Sequence, residues 1–467
     1  MKLSKILVAF LIASGSVPAS AQSKKPNIIF ILADDLGWGE LNSYGSTFNE
    51  TPNLNKLAAQ GTRFTQAYAA APNCSPTRAS IMTGQYPARV GITDFLPGGE
   101  NTEKWLDPAK YVTLNEALSQ QDYHTGIVGK WHLDTHFNNL KGGPKEHGFD
   151  EVIGSETKYI AGGDYFFPYD KIASFNTGAP DEYLTDRQSK EAVNFIERNQ
   201  KQPFFLYLSY YSVHTKLEAP KDLVDKYKRK FDAKYGEGQA EKIFGKRSEG
   251  PHKDNPYLAA MLESIDNGVG EIMETVRKNK LEKNTLIVFF SDNGGAGKGA
   301  NNGNLKGAKM WLYEGGIREP LIMSLPGTIK SGAVENTPVS SVDFYPTFLS
   351  LAGGKVAGTV AGVIDGVNIM PLFSGKSLNR DELYWHYPSE TAKSPANMSS
   401  VVRKGNYKLL EFYKDNRLEL YDLGKDQRES EDLSKQLPEK TAELKRLLDQ
   451  WKKSVNAEEP VIAGKEE

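Results

Sequence analysis

Two acidic couples stand out by where they fall. Asp34-Asp35 ends the apolar run Asn27 to Leu32, and Asp292-Asn293 follows the run Thr285 to Phe290. All four side chains offer oxygen ligands, which suits a hard cation such as calcium or magnesium and supplies too few nitrogen donors for a pair of zinc ions. One such acid alone is more often a loop cap or a solvated turn. Two couples, each directly after a buried strand, favour a metal site. The chain's only cysteine, Cys74, is followed by Ser75, Pro76, Thr77 and Arg78. Pro76 suits a first helical turn and residues 77–82 can continue it, so Cys74 is expected at a helix N-terminus, where unpaired N–H groups favour an anion. An unpaired cysteine in an exported chain reads either as a small buried hydrophobe or as a reactive thiol. The helix-start position favours the reactive one.

Two further runs end in polar groups. His124 to Val128 leads to Gly129-Lys130-Trp131-His132, and Pro203 to Leu208 leads to His214. Continuous apolar runs of this length suit parallel strands buried on both faces. Helical stretches at 51–60, 113–121, 184–199 and 258–278 separate them, which predicts an α/β fold with a large, mostly parallel sheet covered by helices on both faces. Ligands bind such sheets beyond the carboxyl ends of the strands. The acids, the lysine and both histidines fall there, so one site is expected. From about residue 376 the pattern changes to short strands at 382–387, 400–403, 407–412 and 417–421, then an amphipathic helix at 438–455 with Leu444, Leu447, Leu448 and Trp451 on one stripe. The expected division is a catalytic α/β domain at 22–375 and a smaller α+β subdomain at 376–467, a small antiparallel sheet with one helix.

Residues 1–21 read as a secretory signal peptide: Lys2 and Lys5, an apolar core from Ile6 to Ile12, and the small-residue cleavage site Ala19-Ser20-Ala21. No later segment is long and apolar enough to span a bilayer, and no cysteine follows the cleavage site to carry a lipid anchor. An exported protein, periplasmic or secreted and without a membrane anchor, is expected. The chain holds 57 Lys and Arg against 59 Asp and Glu; without Lys2 and Lys5 the balance is 55 against 59, a net charge of −4. That gives no basis for nucleic-acid binding, and an anionic substrate would have to be held by local cations. Nothing in the sequence sets the oligomeric state.

Cys74-Ser75-Pro76-Thr77-Arg78 followed by Thr83-Gly84 resembles the signature of the formylglycine-dependent, type I sulfatases, arylsulfatase-like members of the alkaline phosphatase superfold. The resemblance extends through ADDLGWGE at 33–40, GKWH at 129–132, His214 in SVHTKLEAP, SDNGG at 291–295, KMWLYEGGIREP at 309–320 and LYDLGKDQRESEDLS at 420–434. It implies that a maturation enzyme, as a transient partner, oxidises Cys74 to formylglycine, an aldehyde whose hydrate attacks the sulfur of a sulfate ester. Carried over position by position, it implies one calcium ion held by Asp34, Asp35, Asp292, Asn293 and an oxygen of residue 74. Asp292 is then also a base toward the attacking hydroxyl, and Arg78 and Lys130 hold the hydrate. Lys309 and His214 contact the sulfate, His214 is the acid for the leaving alcohol, and His132 is the base that restores the aldehyde. The chemistry demands such a set independently, because a sulfate monoester develops charge on its oxygens that fixed cations in a dry site stabilise.

Two rival readings stay open: a phosphate or phosphonate ester hydrolase of the same superfold, and a non-catalytic relative that binds sulfated glycans. The CSPTR form and the lack of extra zinc-type ligands favour sulfate, and no carried position is vacant. Lys306 competes with Lys309, and the spacing to Glu314 favours Lys309. His124, His136, His147, His252 and His386 are expected in packing roles, although His136 follows GKWH closely enough to reach the rim of the site. The segments 93–105, 158–169 and 384–388 are rich in aromatics and turn formers, suited either to holding sugar rings or to loop packing. The basic stretch 216–253 reads as a solvated helix whose charges pair in part with Asp222, Asp225 and Asp232. For an exported member of such a family, the expected substrate is a sulfated polysaccharide or oligosaccharide. The tryptic peptide Phe64–Arg78 tests the aldehyde directly: in protein from its native host, mass spectrometry should find sulfur and two hydrogens exchanged for one oxygen, and an intact thiol would contradict it.

Overall fold

The computed structural model describes residues 25–96, 104–134, 141–155, 165–169, 172–297, 299–355, 363–388 and 397–460. The expected signal peptide at 1–21, His136 and most of the 93–105 and 158–169 segments lie outside the described residues. The larger sheet contains β1 (Asn27–Ala33), β2 (Thr62–Tyr68), β3 (His124–Gly129), β4 (Glu151–Ile153), β5 (Phe204–Ser209), β6 (Thr285–Ser291), β7 (Arg318–Ser324), β8 (Ala333–Glu335) and β9 (Val339–Ser340). Its order is β4-β3-β5-β1-β6-β7-β2-β8, with β9 also on β2. Strands β4, β3, β5, β1 and β6 are parallel, whereas β7 runs antiparallel to both β6 and β2. The mostly parallel sheet predicted from the apolar runs is therefore present, with one strand reversed.

The alternation of side chains explains why the central runs are apolar throughout. Ile28, Phe30 and Leu32 of β1 enter one core with Leu286, Val288 and Phe290 of β6. Ile29, Ile31 and Ala33 enter the opposite core with Ile287 and Phe289. The first core is closed by Ala79, Ile81 and Met82 and by Phe344 and Phe348; the second by Phe195 and Ile196 and by Met261, Ile265 and Val269. Each fully buried aliphatic or aromatic side chain here contributes about 1.5–3 kcal/mol. No described helix is long and apolar enough to cross a membrane.

The second sheet is the antiparallel series β10 (Glu382–Tyr387), β11 (Ser399–Lys404), β12 (Tyr407–Phe412) and β13 (Arg417–Asp422). The helix Pro438–Ser454 lies on it through Leu444, Leu448 and Trp451, as its apolar stripe predicts. This settles the 384–388 segment as packing. Tyr384 stacks on Trp451 with centroids 4.8 Å apart, Trp385 Nε1 donates to the Ala69 carbonyl at 2.7 Å, and the His386 ring lies between Ser400 Oγ and the Glu458 carbonyl. The basic stretch is neutralised in part, chiefly by acids distant in sequence. Lys226 and Lys230 reach Glu50, Lys228 reaches Glu241 and Lys234 reaches Asp254, while only Asp225 of the expected partners forms a pair, with Lys221. Asp232 instead accepts from the Ala240 N–H.

The two sheets are tied by ions as well as by apolar packing. Lys408 of β12 is wholly buried between Glu314, at 2.9 Å, and Glu429, at 2.8 Å. Glu429 Oε2 also accepts the Glu314 N–H at 2.7 Å. A lysine so placed holds two carboxylates that have no access to water. Lys408→Ala should therefore destabilise the chain by about 3–5 kcal/mol, read as a lowered denaturant midpoint; a change within experimental error would mean that the carboxyls are satisfied without it.

Candidate active site

Parallel pairing brings the chemistry to one edge. In register, Ala33 lies beside Ser291, Leu32 beside Ser209, and Gly129 beside Ser209. The residues that follow, Asp34, Asp292 and Lys130, therefore leave the sheet at one level. Their backbones are fixed there: Asp292 N–H donates to the Ala33 carbonyl, Lys130 N–H to the Ser209 carbonyl, and Asp35 N–H to Asp292 Oδ1 at 3.1 Å. Gly129 makes the approach possible. Its φ is +97°, and a Cβ there would fall 2.1 Å from the Ser209 carbonyl oxygen. Asp35, His132 and Met310 adopt φ of 59°, 60° and 71° without being glycine. Residues held this way cost of order 1–3 kcal/mol each and persist where the surroundings impose them.

The helix Cys74–Thr83 brings the remaining groups, and all ten of its residues are buried. Arg78 points at the strand ends. Its Nε and Nη2 donate to Asp292 Oδ2 at 3.0 and 2.7 Å, and Nη1 donates to Ser209 Oγ and the Lys130 carbonyl. Thr77 Oγ1 donates to the Ala71 carbonyl, and Ser75 Oγ accepts the Leu96 N–H. Cys74 opens the helix as predicted, and its surroundings act on the thiol against the helix start. Burial pushes the thiol up despite Lys130 and Lys309.

Cys74, Asp34 and Asp292 present ligand atoms within 4.8 Å of one another. Lys130 Nζ meets Asp34 Oδ2 at 2.5 Å, and Lys309 Nζ meets Asp35 at 2.6 Å. Asn293 Nδ2 donates to Asp35 Oδ1 at 2.8 Å. Lys306 instead lies over the Tyr313 ring at 4.0 Å and donates to the Tyr421 hydroxyl, so Lys309 is the lysine in the cluster. The donor set fits a hard cation by two observations. Asp34 Oδ1 and Asn293 Oδ1 are buried acceptors with no hydrogen-bond donor. Burial, opposed by Lys130 and reinforced by Asp292 and Asp35, also pushes the Asp34 carboxyl up to about 7. A cation would satisfy both orphaned oxygens and relieve the crowding of carboxylates.

The histidines differ in which nitrogen faces a carbonyl. His132 Nε2 lies 3.1 Å from the Leu96 carbonyl, which can only accept, so Nδ1 is the basic atom. His214 Nδ1 donates to the Thr215 carbonyl at 2.6 Å, leaving Nε2, 3.7 Å from Asp35 Oδ2, as the atom that gains or loses a proton. Burial and Lys309, against the opposing charge of Asp35, hold the His214 imidazole down at about 3. Nine of the ten expected residues thus meet directly, and His132 joins them through Leu96, whose N–H binds Ser75.

Two participants carried no signal in the sequence reading. Ser209 ends β5 as the acidic couples end β1 and β6, but a serine at a strand end is common. Glu319, on β7, is wholly buried with neither carboxyl oxygen hydrogen-bonded, and burial, with Asp292 and Asp35 nearby, keeps its pKa well above the usual carboxylate range.

Residues 26–354 match the family model described as Sulfatase, well over half of the chain. The chain belongs to the sulfatase family. It is a sulfuric ester hydrolase. Residues 307–456 further match the model described as N-sulphoglucosamine sulphohydrolase, C-terminal. A sulfatase of Formosa agariphila is 30% identical over 94% of this chain and 90% of its own length. The human N-acetylgalactosamine-6-sulfatase is 31% identical over 79% of this chain and 69% of its own. Among solved structures, Ps i-CgsB superposes with a TM-score of 0.77 at 31% identity, covering 94% of both chains, and is also known in complex with k-i-k-neocarrahexaose. In this sulfatase the Arg78 fork engages partners on three strand ends, which a lysine cannot do. Arg78→Lys should lower kcat/KM for any sulfate ester by about 100-fold or more, measured on protein whose folding is checked by near-UV circular dichroism; near wild-type turnover would contradict this account.

Proposed function

We propose that this sulfatase hydrolyses sulfate esters of carbohydrates, using a formylglycine made from Cys74 and one calcium ion. The observation that carries the reading is the meeting of a buried cysteine with Asp34 and Asp292, ringed by Arg78, Lys130 and Lys309. A buried thiol pushed up by desolvation is a poor nucleophile, but the same position suits a residue awaiting conversion. When formed and bound, the formylglycine hydrate supplies a nucleophilic hydroxyl and the calcium ion polarises the sulfate oxygens.

The rest is done by side chains in place. Asp34, Asp35, Asp292 and Asn293 would hold the cation. Three cations already balance the three carboxylates, so a bound dication leaves the pocket positive and an anionic ester is drawn in although the whole chain is acidic. Arg78 and Lys130 orient residue 74, and Asp292 takes the proton of the attacking group. Lys309 and His214 hold the sulfate. The incoming anion favours the imidazolium form of His214, whose Nε2 then protonates the leaving alcohol. His132 Nδ1 accepts the proton that accompanies sulfate release. Conversion of Cys74 by a maturation enzyme has to precede packing of the helix Cys74–Thr83, since that helix is buried throughout. The signal-like residues 1–21 support export, periplasmic or secreted. The N-acetylgalactosamine-6-sulfatases and the neocarrahexaose complex of Ps i-CgsB support a sulfated glycan as substrate.

Cys74→Ala should abolish sulfate release while shifting the melting temperature by no more than about 2 °C. In that variant calcium should raise the melting temperature by about 2–4 °C, and Asn293→Ala should remove most of the rise. Equal turnover of matched aryl sulfate and aryl phosphate esters would count against sulfate chemistry, and an active Cys74→Ala variant would end the formylglycine reading.

A further inference from the structure

Everything described so far holds a sulfate group, and the sugar that bears it also needs a place. A cavity of about 440 Å³ adjoins the site, lined by Asp35 and by Val213 and Thr215, the two neighbours of His214. On the reading above, in which His214 protonates the leaving alcohol, the ring that carries it would extend toward this space. Leu217, Pro251 and Leu258 offer apolar surface to a ring's C–H face.

The cavity is built on a fixed loop. Asn255 Oδ1 caps the helix Pro256–Lys278 by accepting from the Tyr257 and Leu258 N–H groups, while its Nδ2 donates to the Ser248 carbonyl at 2.9 Å. Glu249 Oε1 accepts the Leu217 N–H at 3.2 Å. These bonds hold residues 248–255 against both neighbouring segments. Arg247, at the start of this loop, is the only cation among the described residues lining the cavity. Lys221, Lys226, Lys228, Lys230 and Lys234 each have an acidic partner. Arg247 has no ion pair or hydrogen bond among the described residues and is exposed toward the cavity it lines. A guanidinium left unpaired beside a site that handles anions offers a planar, two-pronged donor for another sulfate or carboxylate.

Building on the sulfatase reading above, we propose that this cavity receives the sugar carrying the scissile sulfate, and that Arg247 selects substrates with a second anionic group on that sugar or its neighbour. Glu249, one oxygen of which is engaged by Leu217, accepts hydroxyls and disfavours misplacement of the second anion.

The test is inhibition of 4-nitrophenyl sulfate turnover by matched pairs. One pair is N-acetylgalactosamine 6-sulfate against its 4,6-disulfate. The other is a sulfated N-acetylgalactosamine disaccharide with a uronate neighbour against the same disaccharide with that carboxyl reduced. At least one doubly anionic member should inhibit about tenfold more strongly than its partner, and the pair that discriminates tells sulfate from carboxylate. Arg247→Gln should reduce that ratio to near one, and Arg247→Lys should restore part of it. Equal inhibition within both pairs, or a ratio unchanged in Arg247→Gln, overturns this inference alone. Absence of aryl sulfate turnover in protein with residue 74 converted overturns the sulfatase reading and this inference with it.

Discussion

A guanidinium without access to water must place its hydrogen bonds on protein, and Arg78 does so across three strand ends at once. Its donors reach Asp292 after β6, Ser209 at the end of β5 and the Lys130 carbonyl after β3. Removing one partner from a buried pair of this kind costs about 3–5 kcal/mol, so the helix that carries Arg78 has little freedom to shift or rotate. Cys74, one turn earlier on that helix, is thereby set opposite Asp34 and Asp292. The position of the nucleophile's precursor follows from where an arginine can be satisfied.

That arrangement works only because the strands end level. Pairing of Ala33 with Ser291 and of Leu32 and Gly129 with Ser209 delivers acids, lysine and serine to one plane. The cost is twofold: burial, reinforced by neighbouring carboxylates, raises the Asp34 carboxyl, and the backbone at Asp35 and His132 is held at positive φ. Two cores of apolar side chains, one on each face of the sheet, offset that cost.

The smaller sheet contributes at a distance. Lys408 clamps Glu314, and Glu314 begins the short helix that returns the chain from Lys309 into β7. The Gly315 N–H donates to the Lys306 carbonyl at 2.7 Å, which closes the loop bearing Lys309. A site made of strand ends thus takes one of its cations from a loop anchored by ions to the other sheet. That the C-terminal family match begins at residue 307, inside the larger sheet's connections, agrees with this interlocking.

Much of this was legible in the sequence. Unbroken apolar runs ending in polar groups suit buried parallel strands with chemistry at their tips, and the CSPTR segment with its companions names the residues that meet there. Amphipathic periodicity likewise placed the last helix on the small sheet. What one dimension does not carry is which distant charges share a space. The sequence offered Asp222 and Asp232 as partners for a basic helix, whereas the fold supplied Glu50, Glu241 and Asp254. It placed the thiol at a helix start, which favours an anion, whereas burial acts in the opposite direction. It left the YWHYP segment as a candidate sugar platform, whereas packing consumed it. Local pattern fixes which faces must be buried, because burial is a property of each residue's own chemistry. Pairing, desolvation and the shape of a cavity are properties of neighbours, and only the tertiary structure decides who those neighbours are.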